Sequence, residues 1–196
     1  MEYTVKTMER PDWSQVPTVE LKQQPWLEPC AVRAWAQLCH NADTLFVRMT
    51  AEEADIRATL TDPLSMVCCD SCLEFFLAPM ADDVRYFNFE WNPLGTLYFG
   101  FGGTRETRIR QVPDDGKTLF QPRPFRTEKG WGIEYRVPAE LIRRYFPEFT
   151  MGGEMAGNFY KCGDETPHPH YLAWSALSSG HPDFHRRQDF GQLLPE

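Results

Sequence analysis

Two stretches of the chain alternate polar side chains with aromatic ones in a pattern that could build a binding site. In "RYFNFEWN" (85–92), strand alternation places Asn88, Glu90 and Asn92 on the face opposite the aromatic residues. The preceding run "DSCLEFFLAP" (70–79) is predicted to pair with it as a hairpin through the "MADD" turn, which brings Glu74 to the same face. Carboxylates accept hydrogen bonds and amides both donate and accept, so the row predicts a site for a hydroxyl-rich ligand. The alternative is an ordinary solvated sheet face.

Glu74 and Glu90 also fit a second kind of chemistry. A glycosidase needs two carboxyl groups about 5–5.5 Å apart for retention or about 6.5–9.5 Å apart for inversion. Neighbours on adjacent strands can meet either spacing. A hydrolase acting on glycosidic bonds is therefore the alternative to binding without bond cleavage.

The tryptophans divide by the faces on which they lie. Trp91 and Trp131 share faces with aliphatic and aromatic residues, which predicts a position in the core. Trp174 is a candidate for an aromatic platform that stacks on a ligand ring, with a core position as the alternative. Trp35 lies among polar neighbours and is a second candidate platform.

The spacing of histidine, cysteine and methionine residues gives less support to a metal or haem site than the polar row gives to a site for a hydroxyl-rich ligand. The late histidines match no zinc pattern, and the Cys69–Cys72 spacing has no second cysteine pair after it, so reduced thiols are expected instead. A haem would require methionine or histidine ligands that face one pocket. The methionines considered for that role, which resemble ordinary core or turn residues, are Met49, Met66 and Met80.

Composition narrows the classes of partner. The 196 residues carry a net charge of −8 at an isoelectric point near 5.2, without a basic stripe, which argues against nucleic acid and anionic membranes as partners. No apolar run approaches the ~20 residues of a membrane-spanning helix. The start "MEYTVKTMERPDW" shows no secretory pattern, so a cytoplasmic location is expected, with a trimmed exported protein as the alternative.

The pattern of elements predicts an all-β protein. About ten short strands with closely spaced turns indicate an antiparallel β-sandwich over 31–196, preceded by an irregular segment, 1–30, that packs on it. "PAELIRRYF" predicts one short helix beginning after Pro138. "AEEADIRA" (51–58) is compatible with one or two helical turns.

Five stretches, in order along the chain, together resemble the family 9 carbohydrate-binding modules, specifically the stand-alone bacterial type. They are "DSCLEFFLAP", "YFNFEWNPLGT", "WGIEYRVP" with the helix after it, "GNFYKCGD" and "PHYLAW…PDFHRRQDFG". The resemblance implies an immunoglobulin-like sandwich that binds a small sugar or oligosaccharide and has no catalytic machinery of its own. Its fold relatives include haem-carrying cytochrome domains, so a haem domain is a third alternative.

The resemblance also assigns roles to residues. It implies that Asn158, on a neighbouring strand, joins the polar row, and that Trp174 is one of two tryptophans that hold the sugar ring. Two departures from the family pattern are visible. Met66 and Val67 stand where the other tryptophan is expected, and Ala78 stands where a family calcium site would have an aspartate. No cofactor is therefore expected, with calcium as the alternative.

Overall fold

A computed structural model describes all residues from 1 to 196 and shows thirteen strands and two short helices. The strands are β1 (Glu2–Thr7), β2 (Val19–Glu20), β3 (Arg33–His40), β4 (Thr44–Glu52), β5 (Cys72–Ala78), β6 (Tyr86–Trp91), β7 (Leu97–Gly102), β8 (Ile109–Gln111), β9 (Arg123–Thr127), β10 (Gly130–Pro138), β11 (Met155–Cys162), β12 (Tyr171–Ala173) and β13 (Gly191–Pro195). The helices are α1 (Gly116–Phe120) and α2 (Ala139–Tyr145). No helix is both long and apolar enough to span a lipid bilayer.

The strands form a β-sandwich whose two sheets share β1. The first sheet has the order β8-β7-β6-β5-β11-β13-β1, with β12 against β11; the second has the order β1-β3-β4-β10-β9, with β2 against β3. Strand β1 runs parallel to β13 through Glu2–Val5 and parallel to β3 through Lys6 and Thr7. The other pairings within the two sheets are antiparallel, so the all-β sandwich expected from the sequence is confirmed.

The core between the sheets follows the predicted alternation. Strand β10 turns Trp131, Ile133 and Val137 inward with no exposed surface, and Trp91 of β6 is 1 % exposed. The β5–β6 hairpin forms as predicted, and β3 and β4 form a second antiparallel hairpin. Helix α2 begins directly after Pro138, whose fixed φ suits the approach to a helix.

Two expectations about the first third of the chain are wrong. Residue 30 is not a boundary, because β1 lies inside the sheets between β13 and β3 and therefore belongs to the sandwich itself. The segment "AEEADIRA" forms no helix. Just beyond it, the backbone N–H groups of Thr59 and Leu60 both donate to the Asp70 carboxylate, which holds an extended loop instead of a helical turn.

Candidate functional site

The polar row of β5 and β6 lies on the face of the first sheet that points away from the second sheet. Glu74 lies directly opposite Glu90, and Asn88 lies opposite Phe76. On the other side of β5, Tyr160 of β11 is paired with Glu74, so its side chain continues this face. The structure thus brings these side chains onto one face, as the alternation indicates.

This face is covered by protein rather than by solvent. The ring of Phe184, in the segment before β13, stacks on Tyr160 with centroids 4.1 Å apart, and the Tyr160 hydroxyl donates to the Phe184 carbonyl at 3.1 Å. The hydroxyl of Tyr86 lies 2.9 Å from Nδ1 of His185. The face therefore carries a second, smaller apolar cluster, and the interpretation as an ordinary solvated sheet face is wrong.

A pocket of about 190 Å³ remains open above the two glutamates. Glu74 and Glu90 line it together with Cys162, and Arg105 and Arg108 reach it from the loop between β7 and β8. Its remaining lining residues are Trp26, Met66, Cys68, Asp164, Tyr171, Pro182, Asp183, Phe184 and His185. The pocket therefore combines charged, hydrogen-bonding and aromatic groups in one concavity.

Burial changes the protonation of both glutamates. Loss of contact with water raises the pKa of Glu74 well above its usual range, and the nearby Glu90 carboxyl raises it further. Burial raises the pKa of Glu90 to about 7, while Arg108 and Asn88 oppose that rise. Both effects favour the neutral form of Glu74, which can donate a hydrogen bond as well as accept one.

Asn88 acts through Glu90. Its Nδ2 donates to Glu90 Oε1 at 2.7 Å, whereas its Oδ1 is buried without a partner. Gly100 lies across from it on β7, and a Cβ at that position would overlap the Asn88 amide. Glycine at 100 thus allows the amide to lie flat on the sheet and orient the carboxyl.

Asn92 does not have the ligand-contacting role expected for it. Its Nδ2 donates to the Leu60 carbonyl and to Asp70 Oδ2, and its Oδ1 accepts from the backbone N–H groups of Leu94 and Thr96. All of its hydrogen-bonding capacity on Nδ2 and Oδ1 is directed to the turn after β6 and to the loop beside it. The side chain therefore fixes these loops.

Asn158 is also occupied by the protein. Its Oδ1 accepts from the backbone N–H groups of Phe159 and Ser175, and its Nδ2 donates to the Ser175 carbonyl. It is fully buried and is not among the residues lining the pocket. The hydrogen bonds of Asn158 therefore hold the segment after β12 against β11.

Trp174 is not a stacking platform in this structure. It is 2 % exposed and packs between the sheets, with its ring 6.3 Å from that of Tyr3 and 5.8 Å from that of Phe159. Both ring faces are therefore unavailable to a ligand. Trp174 continues the alternation of β12, because Leu172 and Trp174 both pack in the core between the sheets while Ala173 lies in the smaller cluster on the other face.

The aromatic wall of the pocket comes instead from Trp26, which sequence analysis missed. Its ring lies 5.5 Å from Tyr171 and 5.4 Å from Phe184, and its Nε1 donates to the Ser179 carbonyl at 2.8 Å. The residue belongs to the Pro-rich segment before β3, where no periodicity marks a functional side chain. Met66 lines the same pocket and is 48 % exposed, at the place where the family resemblance expects a tryptophan.

A larger open groove of about 1060 Å³ lies elsewhere, beside the end of β4 and the β9–β10 turn. None of the polar residues predicted from the sequence lines it. Behind it lies a buried ion pair, in which Lys161 Nζ is 3.2 Å from Glu53 Oε1 and 2.6 Å from His170 Nε2. Burial, with the neighbouring ammonium, lowers the pKa of His170 to about 4. We place the candidate site at the smaller pocket, because only there do the predicted carboxyls and an aromatic wall meet.

The position at which the family resemblance expects a calcium-binding aspartate is Ala78. Ala78 offers no ligand, and the one group of three His, Cys, Asp or Glu side chains able to share an ion is Cys72, Glu74 and Cys162. Calcium takes six to eight oxygen ligands, whereas two of these three ligands are sulfur. All six cysteines are free thiols, as the sequence predicts.

A family model described as carbohydrate-binding family 9 matches residues 4–194, nearly the whole chain. The chain belongs to this family. No curated protein matches it significantly. The family 9 resemblance seen in the sequence is thus confirmed.

Solved structures share the fold. A candidate carbohydrate-binding protein from Bacteroides uniformis is 25 % identical, with a TM-score of 0.86 over 100 % of this chain and 99 % of that one. A family 9 module from Caldicellulosiruptor kristjanssonii in complex with cellotriose is 11 % identical, with a TM-score of 0.71 over 100 % of this chain and 94 % of the module. A family 9 module from the same organism in complex with glucose is also 11 % identical, with a TM-score of 0.67 over 100 % of this chain and 95 % of the module. At 11 % identity these modules show the fold alone.

Proposed function

We propose that this family 9 protein binds a single sugar ring, or the terminal ring of a short oligosaccharide, in the pocket above Glu74 and Glu90, without cleaving it. The observation that carries the proposal is the meeting of two hydrogen-bonding carboxyls with the aromatic wall of Trp26 in one concavity. A sugar presents hydroxyl groups at its edge and C–H groups on its faces, so this combination matches both.

The size of the pocket supports a small ligand. Its volume of about 190 Å³ is below the roughly 300–1,000 Å³ of sites for drug-sized molecules. A monosaccharide or a chain end suits such a space better than the interior of a polysaccharide. The complexes of the Caldicellulosiruptor modules suggest glucose and cellotriose as the first ligands to test.

Isothermal titration calorimetry with a panel of monosaccharides and cellotriose tests the proposal. We expect binding by the wild type and at least a tenfold loss for Glu74→Met, which keeps the side-chain volume but removes both oxygens. Glu140→Gln, at an exposed position of α2, is the matched control and should bind as the wild type does. Absence of heat across the panel at millimolar sugar would contradict the proposal.

One observation favours the hydrolase alternative. Glu74 and Glu90 are direct cross-strand neighbours, and the pKa of Glu90 near 7 would suit a group that exchanges protons at neutral pH. Turnover of aryl glycosides that is abolished by Glu74→Gln would establish this activity. Sugar binding with no turnover would support the non-catalytic function.

A further inference from the structure

Two thiols and a carboxyl group converge at the base of the pocket. Cys72 of β5 and Cys162 of β11 are directly paired across the sheet, so their side chains leave the same face. Cys162 Sγ lies 2.9 Å from Glu74 Oε1, and the ligand atoms of all three residues lie within 4.8 Å of one another. The three side chains are almost completely buried.

This arrangement matches the coordination of one class of metal ion. Zinc binds cysteine sulfur and carboxylate oxygen, and zinc sites with three protein ligands keep the fourth position for water or a ligand. A tetrahedral ion with bonds of about 2.3 Å holds its sulfur ligands roughly 3.8 Å apart, so the observed spacing requires little movement. Soft thiol ligands favour zinc over magnesium or calcium.

We propose that Cys72, Glu74 and Cys162 bind a zinc-type divalent cation whose fourth coordination position faces the pocket. Glu74 and Cys162 both line the pocket, which gives the ion a path from solvent. Binding of the ion releases the protons of the two thiols and of Glu74 to solvent, and the resulting two thiolates and carboxylate around a dication leave one net negative charge. Arg105 and Arg108, which line the same pocket, supply compensating positive charge.

Cys72 and Cys162 belong to the smaller apolar cluster, but apolar packing alone does not require their two sulfurs to lie beside a carboxyl group. A thiol is a weak hydrogen-bond donor, so a pocket that only binds hydroxyl groups gains little from Cys162 at its base. The metal site goes beyond the proposed sugar binding and does not depend on it, because the three ligands come together without a sugar. The two are tested separately, since metal binding is measured with no carbohydrate present.

The experiment is a titration of the full chain with zinc, after treatment with a chelator and under a phosphine reductant. Competition with a chromophoric chelator gives the stoichiometry and affinity, and cobalt substitution reports sulfur ligation through thiolate-to-metal charge-transfer absorption. We expect one equivalent to bind and the charge-transfer band to appear. Cys72→Ala and Cys162→Ala should each weaken binding by at least about 100-fold, since even outer-shell partners of metal ligands are worth roughly 10–100-fold.

Cys39→Ala is the matched control, because Cys39 is equally buried but lies on β3 in the other sheet. It should bind zinc as the wild type does. Thermal unfolding separates ligand loss from misfolding: zinc should raise the melting temperature of the wild type and of Cys39→Ala, but not that of the folded Cys72→Ala or Cys162→Ala proteins. No stoichiometric binding by the wild type, or binding that survives both ligand substitutions, would overturn the proposal.

Discussion

Glu74 and Glu90 lie directly opposite each other on β5 and β6, and are 3 % and 4 % exposed. A cross-strand pair of carboxyls in such a place cannot be doubly ionised without a large electrostatic cost. At least one of the two carboxyls therefore stays protonated to a higher pH than an exposed glutamate does. Both the free energy of unfolding and the affinity for a ligand should consequently depend on pH.

Glu90→Gln should change how stability depends on pH. The pKa of Glu90 is about 7 in the folded protein and about 4.5 when the chain is unfolded, so folding retains a proton between these values. Its contribution to the free energy of unfolding is complete below pH ~4.5 and is lost as pH rises through ~7. His185 and His170, whose pKa values are lowered to about 2 and about 4, act in the opposite direction.

Because the histidines contribute equally to both proteins, the measurement compares the free energy of unfolding of Glu90→Gln with that of the wild type. Urea unfolding across this window should show Glu90→Gln becoming more stable relative to the wild type as pH rises. A stability difference that stays constant with pH would contradict the assignment.

Trp26→Ala should weaken sugar binding at least fivefold, or about 1 kcal/mol, with the fold retained. The ring forms the aromatic wall of the pocket together with Tyr171 and Phe184. Trp35→Ala is the control, since Trp35 is also half-buried but lies on the second sheet beneath the Arg33 guanidinium. Calorimetry on both variants checks this, and equal losses would argue against a specific role for Trp26.

Met66→Trp should increase affinity for the sugar. Met66 lines the pocket and is 48 % exposed, so a larger ring can be accommodated from the solvent side. A rigid indole offers more stacking surface than a flexible thioether. Leu64→Trp, at an exposed position nearby that does not line the pocket, serves as control. Unchanged or weaker binding by Met66→Trp would show that this edge of the pocket does not face the ring.

Trp174→Ala should lower the free energy of unfolding by about 3–5 kcal/mol, as for other large core side chains. Its indole fills the space between the sheets beside Tyr3 and Phe159, and the neighbouring segments cannot collapse fully onto the cavity. Chemical denaturation should show this loss, and Trp35→Ala, at a partly exposed position, should lose less. A small effect of Trp174→Ala would mean that the indole is not packed in the core.

Lys161→Met should be strongly destabilising, by about 3–5 kcal/mol, because it leaves the Glu53 carboxylate buried without its ammonium partner. Glu53 also accepts hydrogen bonds from Ser71 and Trp131, so it cannot turn towards water. Adding Glu53→Gln should recover part of the lost stability. Equal stability of Lys161→Met and the wild type in denaturant unfolding would show that the pair contributes nothing net.

Sequence reasoning succeeded where a single strand or hairpin contains the information. The alternation of 85–92 predicted its polar and apolar faces, and the turn between the two runs predicted that they pair as a hairpin. These are local properties, since successive side chains of a strand necessarily point to opposite faces. The same reasoning placed Glu74 and Glu90 together.

The amino-acid sequence by itself determined the all-β fold, the family and the row of polar side chains shared by β5 and β6. Only the tertiary structure decided which of those side chains reach a ligand pocket. The segment after β12 covers the row and takes up the hydrogen bonds of Asn158, and Trp26 arrives from a distant irregular segment. Strand periodicity does not predict such contacts, because they depend on how loops that are far apart in the chain pack over a sheet.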